Sequence, residues 1–205
     1  MTSKGRFITL EGAEGAGKST SLDHARSILT AAGLEVDVTR EPGGTPGAEA
    51  IREILLHRDG EPMSDVAELL LMFAGRSLHL ENRIRPSLDA GRWVLCDRFT
   101  DATWAYQGGG RGLPEDWIGQ LEQWVQGSLK PDLTLLLDVD PAVGLARIAG
   151  RGDRDRFEVE QVAFFDRVRG VYLDRAAKDP GRFRVIDASQ PADAVRQEIT
   201  NHLNI

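Results

Sequence analysis

Eight residues near the N-terminus, Gly12-Ala13-Glu14-Gly15-Ala16-Gly17-Lys18-Ser19, constrain this chain more than any other feature. They fit the spacing G-x-x-x-x-G-K-[ST] and stand between an apolar strand candidate at 7–10 and a helix opening at Ser19. In that setting the glycines let the backbone curl so that several N–H groups point into one concavity. The helix N-terminus adds its partial positive charge, and the product is a site for phosphate oxygens. Lys18 is placed to reach the β- and γ-phosphates of a nucleoside triphosphate, and Ser19 to offer a hydroxyl to Mg²⁺. The predicted ATP-binding cradle comprises Gly12, Ala13, Glu14, Gly15, Ala16, Gly17, Lys18, Ser19 and Thr20.

The rest of the chain alternates short apolar runs with longer stretches of helical period, which predicts an α/β fold with a five-stranded parallel sheet and helices on both faces. Strands are expected at 7–10, 36–39, 93–96, 133–139 and 183–186, and helices at 19–31, 48–56, 65–88, 115–126, 142–148, 159–178 and 192–203. Several strands are apolar throughout, as strands buried on both faces should be. Gly33, Gly91 and Gly127 fall where helices should stop. No repeat or linker divides the 205 residues, so one domain spanning 1–205 is expected.

Charge narrows the partners. Lys and Arg total 25 against 32 Asp and Glu, a net charge of −7, the opposite of the basic footprint of a duplex-binding protein. No nucleic-acid partner is expected, and any anion must meet a local basic site. No apolar run approaches the roughly 20 residues of a membrane span, and the N-terminus lacks the pattern of a signal peptide. Residence in the cytoplasm, away from any membrane, is therefore expected. The single Cys96 cannot close an internal disulfide and reads as a small core residue.

The cradle alone does not separate switches, motors and kinases, because it grips only the donor nucleotide. A guanine-specific GTPase would carry Asn-Lys-x-Asp after a late strand, where this chain has Leu137-Asp138-Val139-Asp140-Pro141. The third strand ends in Asp97-Arg98-Phe99, which should emerge at the carboxyl edge of the sheet beside the cradle. A carboxylate there can hold Mg²⁺ through water, so Ser19 and Asp97 form the predicted metal site. Arg98 can present a forked guanidinium to phosphate.

The cradle, Arg40-Glu41-Pro42-Gly43-Gly44-Thr45, Phe73-Ala74-Gly75-Arg76, Asp97-Arg98-Phe99 and Ala105-Tyr106-Gln107-Gly108-Gly109-Gly110-Arg111-Gly112 follow one another in an order that resembles the bacterial thymidylate kinases. The resemblance covers nearly the whole chain. It implies the P-loop nucleoside monophosphate kinase fold, transfer of the ATP γ-phosphate to dTMP with Mg²⁺, and a homodimer. It places dTMP against Glu14, Arg40, Glu41, Arg52, Phe73, Arg76, Arg98, Thr103, Tyr106 and Gln107. Arg76 would bond the thymine edge, Phe73 would stack on the ring, and Glu14 would accept from the 3'-hydroxyl. In several relatives the stacking aromatic stands four residues before the arginine, where this chain has Met72, so Met72 and Phe73 both remain candidates. A short lid at about 147–158 is also implied, with Lys18, Arg98, Arg151 and Arg156 as the catalytic cations. The competing expectations are a kinase for another nucleoside monophosphate and an ATPase switch module.

Overall fold

A computed structural model describes residues 5–56, 61–149, 156–158 and 160–203. Five parallel strands, β1 (Phe7–Glu11), β2 (Val36–Arg40), β3 (Trp93–Asp97), β4 (Leu133–Asp138) and β5 (Phe183–Asp187), form one sheet in the order β2-β3-β1-β4-β5. Phe7 pairs with Val94, Ile8 with Leu133, and Arg40 with Asp97. This register brings Arg40, Asp97 and the residues after Glu11 to one carboxyl edge, on either side of the point where the chain reverses its direction across the sheet. Ligands of open α/β sheets bind at such an edge.

Side chains alternate across the strands, and both faces are apolar. Ile8, Leu10, Leu95, Leu135 and Leu137 face α1 (Lys18–Ala31) and α9 (Ala192–Leu203), meeting Ala25, Leu29, Ile199 and Leu203. Leu136 and Phe183 turn to the other face, where they pack with Phe165, Val168 and Tyr172 of α8 (Val162–Lys178). On that face Phe7, Val94 and Cys96 meet Leu80 and Ile84. The expected five-stranded parallel sheet with helices on both faces is the observed architecture, and the expected strands lie within a residue of the observed ones.

Other helices are α2 (Pro46–Leu56), α6 (Glu115–Gln126) and α7 (Pro141–Ile148). Two segments depart from expectation. The predicted helix 65–88 is α3 (Asp65–His79), a π-helical turn at Leu80–Ile84, and α4 (Arg85–Asp89). Pro86 stands at the start of α4 and has no N–H to donate, so the hydrogen-bond register changes just ahead of it. The stretch after Phe99, assigned neither strand nor helix from the sequence, is helical: α5 (Thr100–Thr103) continues into a π-helical turn at Trp104–Gly110. Its glycines allow α8 to approach. A Cβ on Gly110 would stand 2.5 Å from the Phe164 ring, and one on Gly109 2.6 Å from Val171. No helix of the described residues is long and apolar enough to cross a membrane.

Candidate active site

The turn from β1 into α1 has the backbone that its glycines forecast. Gly15 and Gly17 both take positive φ, 71° and 87°. A Cβ on Gly15 would lie 2.0 Å from the carbonyl oxygen of Gly144 in α7, so only glycine fits there. Lys18 donates to the carbonyls of Gly12 and Ala13 at 3.0 and 2.9 Å, folding its ammonium over the loop. Burial and the nearby Arg98 charge depress its pKa. Glu14, Gly15, Gly17, Lys18, Ser19, Thr20, Asp97, Arg98 and Arg147 line an open cleft of about 720 Å³ above the loop.

A second cleft, of about 660 Å³, shares Glu14 and Arg98 with the first and extends to Glu41, Arg52, Met72, Tyr106 and Gln107. The common wall is a tight polar triad. Arg98 donates to the Glu14 carboxylate and, at 3.2 Å, to the Tyr106 hydroxyl, while Tyr106 donates to Glu14 at 3.1 Å. Burial pushes the Glu14 pKa up, but Arg98, Lys18 and the Tyr106 hydrogen bond together overcome it and leave it lowered. The same carboxylate holds Arg98 charged against its own burial. Burial beside Glu14 raises the Tyr106 phenol, so it remains a donor.

Arg98 takes φ 65°, the one non-glycine residue with positive φ among those described. Glu11, at the end of β1, secures the next peptide. It accepts from the Phe99 N–H at 2.7 Å and from the Tyr172 hydroxyl at 2.8 Å. Burial, then the charge of Asp101, lifts the Glu11 pKa from 4.5 to about 8. When Glu11 is protonated, its contact with Tyr172 reverses and the carboxyl group donates.

Behind the second cleft lies a buried chain of polar groups. Arg76 pairs with Glu41 at 2.8 Å, donates to Thr103 at 2.9 Å and to the Phe99 carbonyl at 3.2 Å, and lies between the rings of Phe73 and Phe99. His79 donates from Nδ1 to Glu41 at 3.0 Å, and its Nε2 meets Thr39 at 2.7 Å. Gln107 donates to Glu68 at 2.7 Å.

Several expected site residues stand elsewhere. Met72 lines the second cleft, whereas Phe73 is buried against Leu69, Ile118 and the Arg76 guanidinium, so of the two only Met72 borders that cleft. Thr103 reaches the site only through Arg76. Arg40 is half exposed, pairs with Glu49 at 2.9 Å and lines a separate cleft with Ser19 and Asp97, because successive residues at the end of β2 point to opposite sides. Arg156 is turned from the phosphate loop: it donates to the Leu55 carbonyl at 3.2 Å and is paired with Glu68. Arg151 and half of the expected lid, 150–155, lie outside the described residues.

Glu68, His79 and Tyr172 were missed as site-supporting groups. Glu68, Met72, Arg76 and His79 recur at intervals of four, four and three along α3, and all are buried. Charged residues on the buried face of an amphipathic helix are the signal that would have found Glu68 and His79.

The thymidylate kinase family model matches residues 10–199. The chain belongs to this family. It is 59% identical to the thymidylate kinase of Chromohalobacter salexigens over 201 residues, covering 97% of this chain and 95% of that protein. To the thymidylate kinase of Pseudomonas savastanoi pv. phaseolicola it is 57% identical over 195 residues, with coverage of 95% and 93%. The crystal structure of thymidylate kinase from Ehrlichia chaffeensis superposes with a TM-score of 0.78 at 34% identity, covering 98% of this chain and 99% of that one. In family terms, the loop after β1 is the P-loop.

The Glu11 proton carries a stability signature. Its folded pKa lies above the unfolded value, so the folded chain binds the proton more tightly. Stabilisation from this group is complete below about pH 4.5 and is lost as pH rises through about 8. Urea unfolding between pH 6 and 8 should show wild type losing, relative to Glu11→Gln, on the order of 1 kcal/mol per pH unit. Parallel pH curves for the two proteins would show instead that Glu11 is ionised throughout.

Proposed function

We propose that this chain phosphorylates dTMP to dTDP with the γ-phosphate of ATP. The observation that carries the reading is the pair of clefts meeting at one wall, Glu14 and Arg98, with a phosphate cradle on one side and a base-sized pocket on the other. ATP lays its phosphates along the P-loop. Its base enters a further cleft that shares Gly17, Thr20 and Arg147 with the cradle and is bounded by Ala188, Gln190 and Arg196. The dTMP phosphate meets Arg98 and Arg52, its sugar lies toward Tyr106 and Glu14, and its base lies against Met72 and Gln107 with Arg76 behind them.

In the reaction an oxygen of the dTMP phosphate forms a bond to the γ-phosphorus while the bond to the β,γ-bridging oxygen breaks, releasing ADP. A phosphate monoester has its second pKa near about 6 and is already largely dianionic at neutral pH, so no general base is needed. The work falls to placement and charge. Lys18 and Arg98 are held by the protein before any nucleotide arrives. Arg151 and Arg156 are the further cations proposed for this role, and Arg156 must leave Glu68 to reach the P-loop.

Ser19 and Asp97 fit Mg²⁺. Both offer hard oxygen, and Asp97 Oδ1 is buried without a hydrogen-bond partner among the described residues. When bound there, Mg²⁺ neutralises phosphate charge. The buried, unpaired Cys96 agrees with a cytoplasmic setting.

The homodimer proposed for this chain is supported by α3. Val66, Leu70, Ala74 and Leu78 form an exposed apolar stripe at intervals of four, opposite the buried face of the same helix. Ile54 of α2 and Trp117 and Trp124 of α6, helices that pack on α3, are also exposed. A stripe this continuous on a soluble chain is the mark of a partner surface, and a second copy presents the same surface in reverse across a two-fold axis.

ADP release measured with ATP, Mg²⁺ and a panel of monophosphates should require an acceptor and be fastest with dTMP, with dTDP as product. Faster turnover of another monophosphate would reassign the acceptor, and ADP release without any acceptor would indicate an ATPase. Arg98→Ala should raise KM for dTMP by about tenfold or more, as expected for one lost charge-assisted contact, with a smaller change for ATP. Equal changes would count against an acceptor-side role for Arg98. In light scattering after size exclusion, wild type should show twice the mass of one chain and Leu70→Glu the mass of one; a monomeric wild type would overturn the dimer.

A further inference from the structure

The amide of Gln107 is turned in one direction by its neighbours. Gln107 is fully buried and borders the acceptor cleft. Its Nε2 donates to Glu68 Oε1 at 2.7 Å. Glu68 is itself fully buried and is flanked by Arg111, 3.3 Å from it, and by Arg156. A carboxylate accepts and does not donate, so only the NH₂ end of the Gln107 amide can face it. The carbonyl end, Oε1, then diverges from Glu68, and it is buried without a hydrogen-bond partner among the described residues.

Arg76 complements this arrangement. Glu41, Thr103 and the Phe99 carbonyl engage its Nε and Nη2, leaving Nη1 buried without a partner among the described residues. The wall thus keeps one unused acceptor, with one unused donor buried behind it. A pyrimidine with a proton on N3 and a carbonyl at C4 satisfies both. Cytosine, with a lone pair on N3 and an amino group at C4, opposes both. Leaving such groups unmatched in a buried site costs about 1–3 kcal/mol each, which is how a site rejects a ligand of nearly the same shape.

We infer that Glu68, which contacts no substrate in this arrangement, is a positioning residue that sets base specificity: by holding Nε2 of Gln107 it commits Oε1 to a pyrimidine bearing N3–H. This rests on the dTMP-binding reading above and adds to it the group that decides the polarity of the base-reading amide. With glutamine in place of Glu68 the neighbour can donate as well as accept, and the Gln107 amide is free to turn over.

The test compares kcat/KM for dTMP and dCMP. Glu68→Gln should lower the dTMP-over-dCMP preference by about tenfold or more, whereas Arg111→Gln, which removes an ion pair from Glu68 but keeps its contact with Gln107, should leave the preference within about twofold. An unchanged preference in Glu68→Gln, or an equal fall in Arg111→Gln, overturns the inference. N3-methyl-dTMP separates it from the reading beneath: if wild type uses this analogue as well as dTMP, the base edge is not read at N3 and the placement of dTMP fails first. Should Glu68→Gln not fold, a neutron structure of wild type with dTMP decides the point. Two deuterons of Gln107 directed at Glu68 support the inference, and deuterons directed at the base refute it.

Discussion

The pairing of Glu14 with Arg98 is the contact on which the rest of the site depends. A carboxylate inside a phosphate-binding loop would repel nucleotide, and an arginine buried at the edge of a sheet would be costly to desolvate. Each removes the other's difficulty, and Tyr106 completes the arrangement by bonding both. Because the pair forms the partition between two clefts, it fixes their separation as well as their charge. Direct transfer between two polyanions needs such a partition: neutral enough, with Lys18 beside it, not to repel either phosphate, and thin enough to let them meet.

Holding Arg98 there requires a backbone that its own residue type disfavours. The left-handed φ of Arg98 persists because its neighbours over-determine it. Its N–H bonds the Leu10 carbonyl at 2.9 Å, Cys96 Sγ lies 3.0 Å from its carbonyl, and Glu11 holds the N–H of Phe99. Leu10 and Glu11 are the last residues before the P-loop. The P-loop and Arg98 are therefore anchored to the same two residues of β1, and a displacement of one is carried to the other.

The fold was legible in the sequence because its signals are local: apolar runs of strand length, glycines at helix ends, and the spacing of the P-loop. The π-helical turn at Trp104–Gly110 was not. Three consecutive glycines oppose helix on propensity, and what overrides them is the close approach of α8, a long-range contact that no local window contains. Within the site, the polar positions Glu14, Arg52, Arg98, Tyr106 and Gln107 were legible in the sequence and do converge on one cleft. Phe73 and Arg40 do not border that cleft, for a simpler reason. Motif order does not say which of two adjacent residues faces inward; on α3 that is set by the rotation of the helix, and at the end of β2 by strand alternation.

Rigidity in a site built largely from loops has to come from somewhere, and α8 supplies much of it. Tyr172 bonds Glu11 at the end of β1, and Arg169 grips Asp138 at the end of β4 with contacts of 2.6 and 2.8 Å. Arg175 pairs with the buried Asp101 of α5, and Arg167 donates to the carbonyls of Gly109 and Gly110. Four side chains of one helix thus reach two strand ends, α5 and the turn that carries Tyr106 and Gln107. None of these four α8 residues borders either of the two adjoining clefts. The helix fixes where the P-loop, Arg98 and the turn carrying Tyr106 and Gln107 stand relative to one another, which is the quantity that in-line transfer depends on.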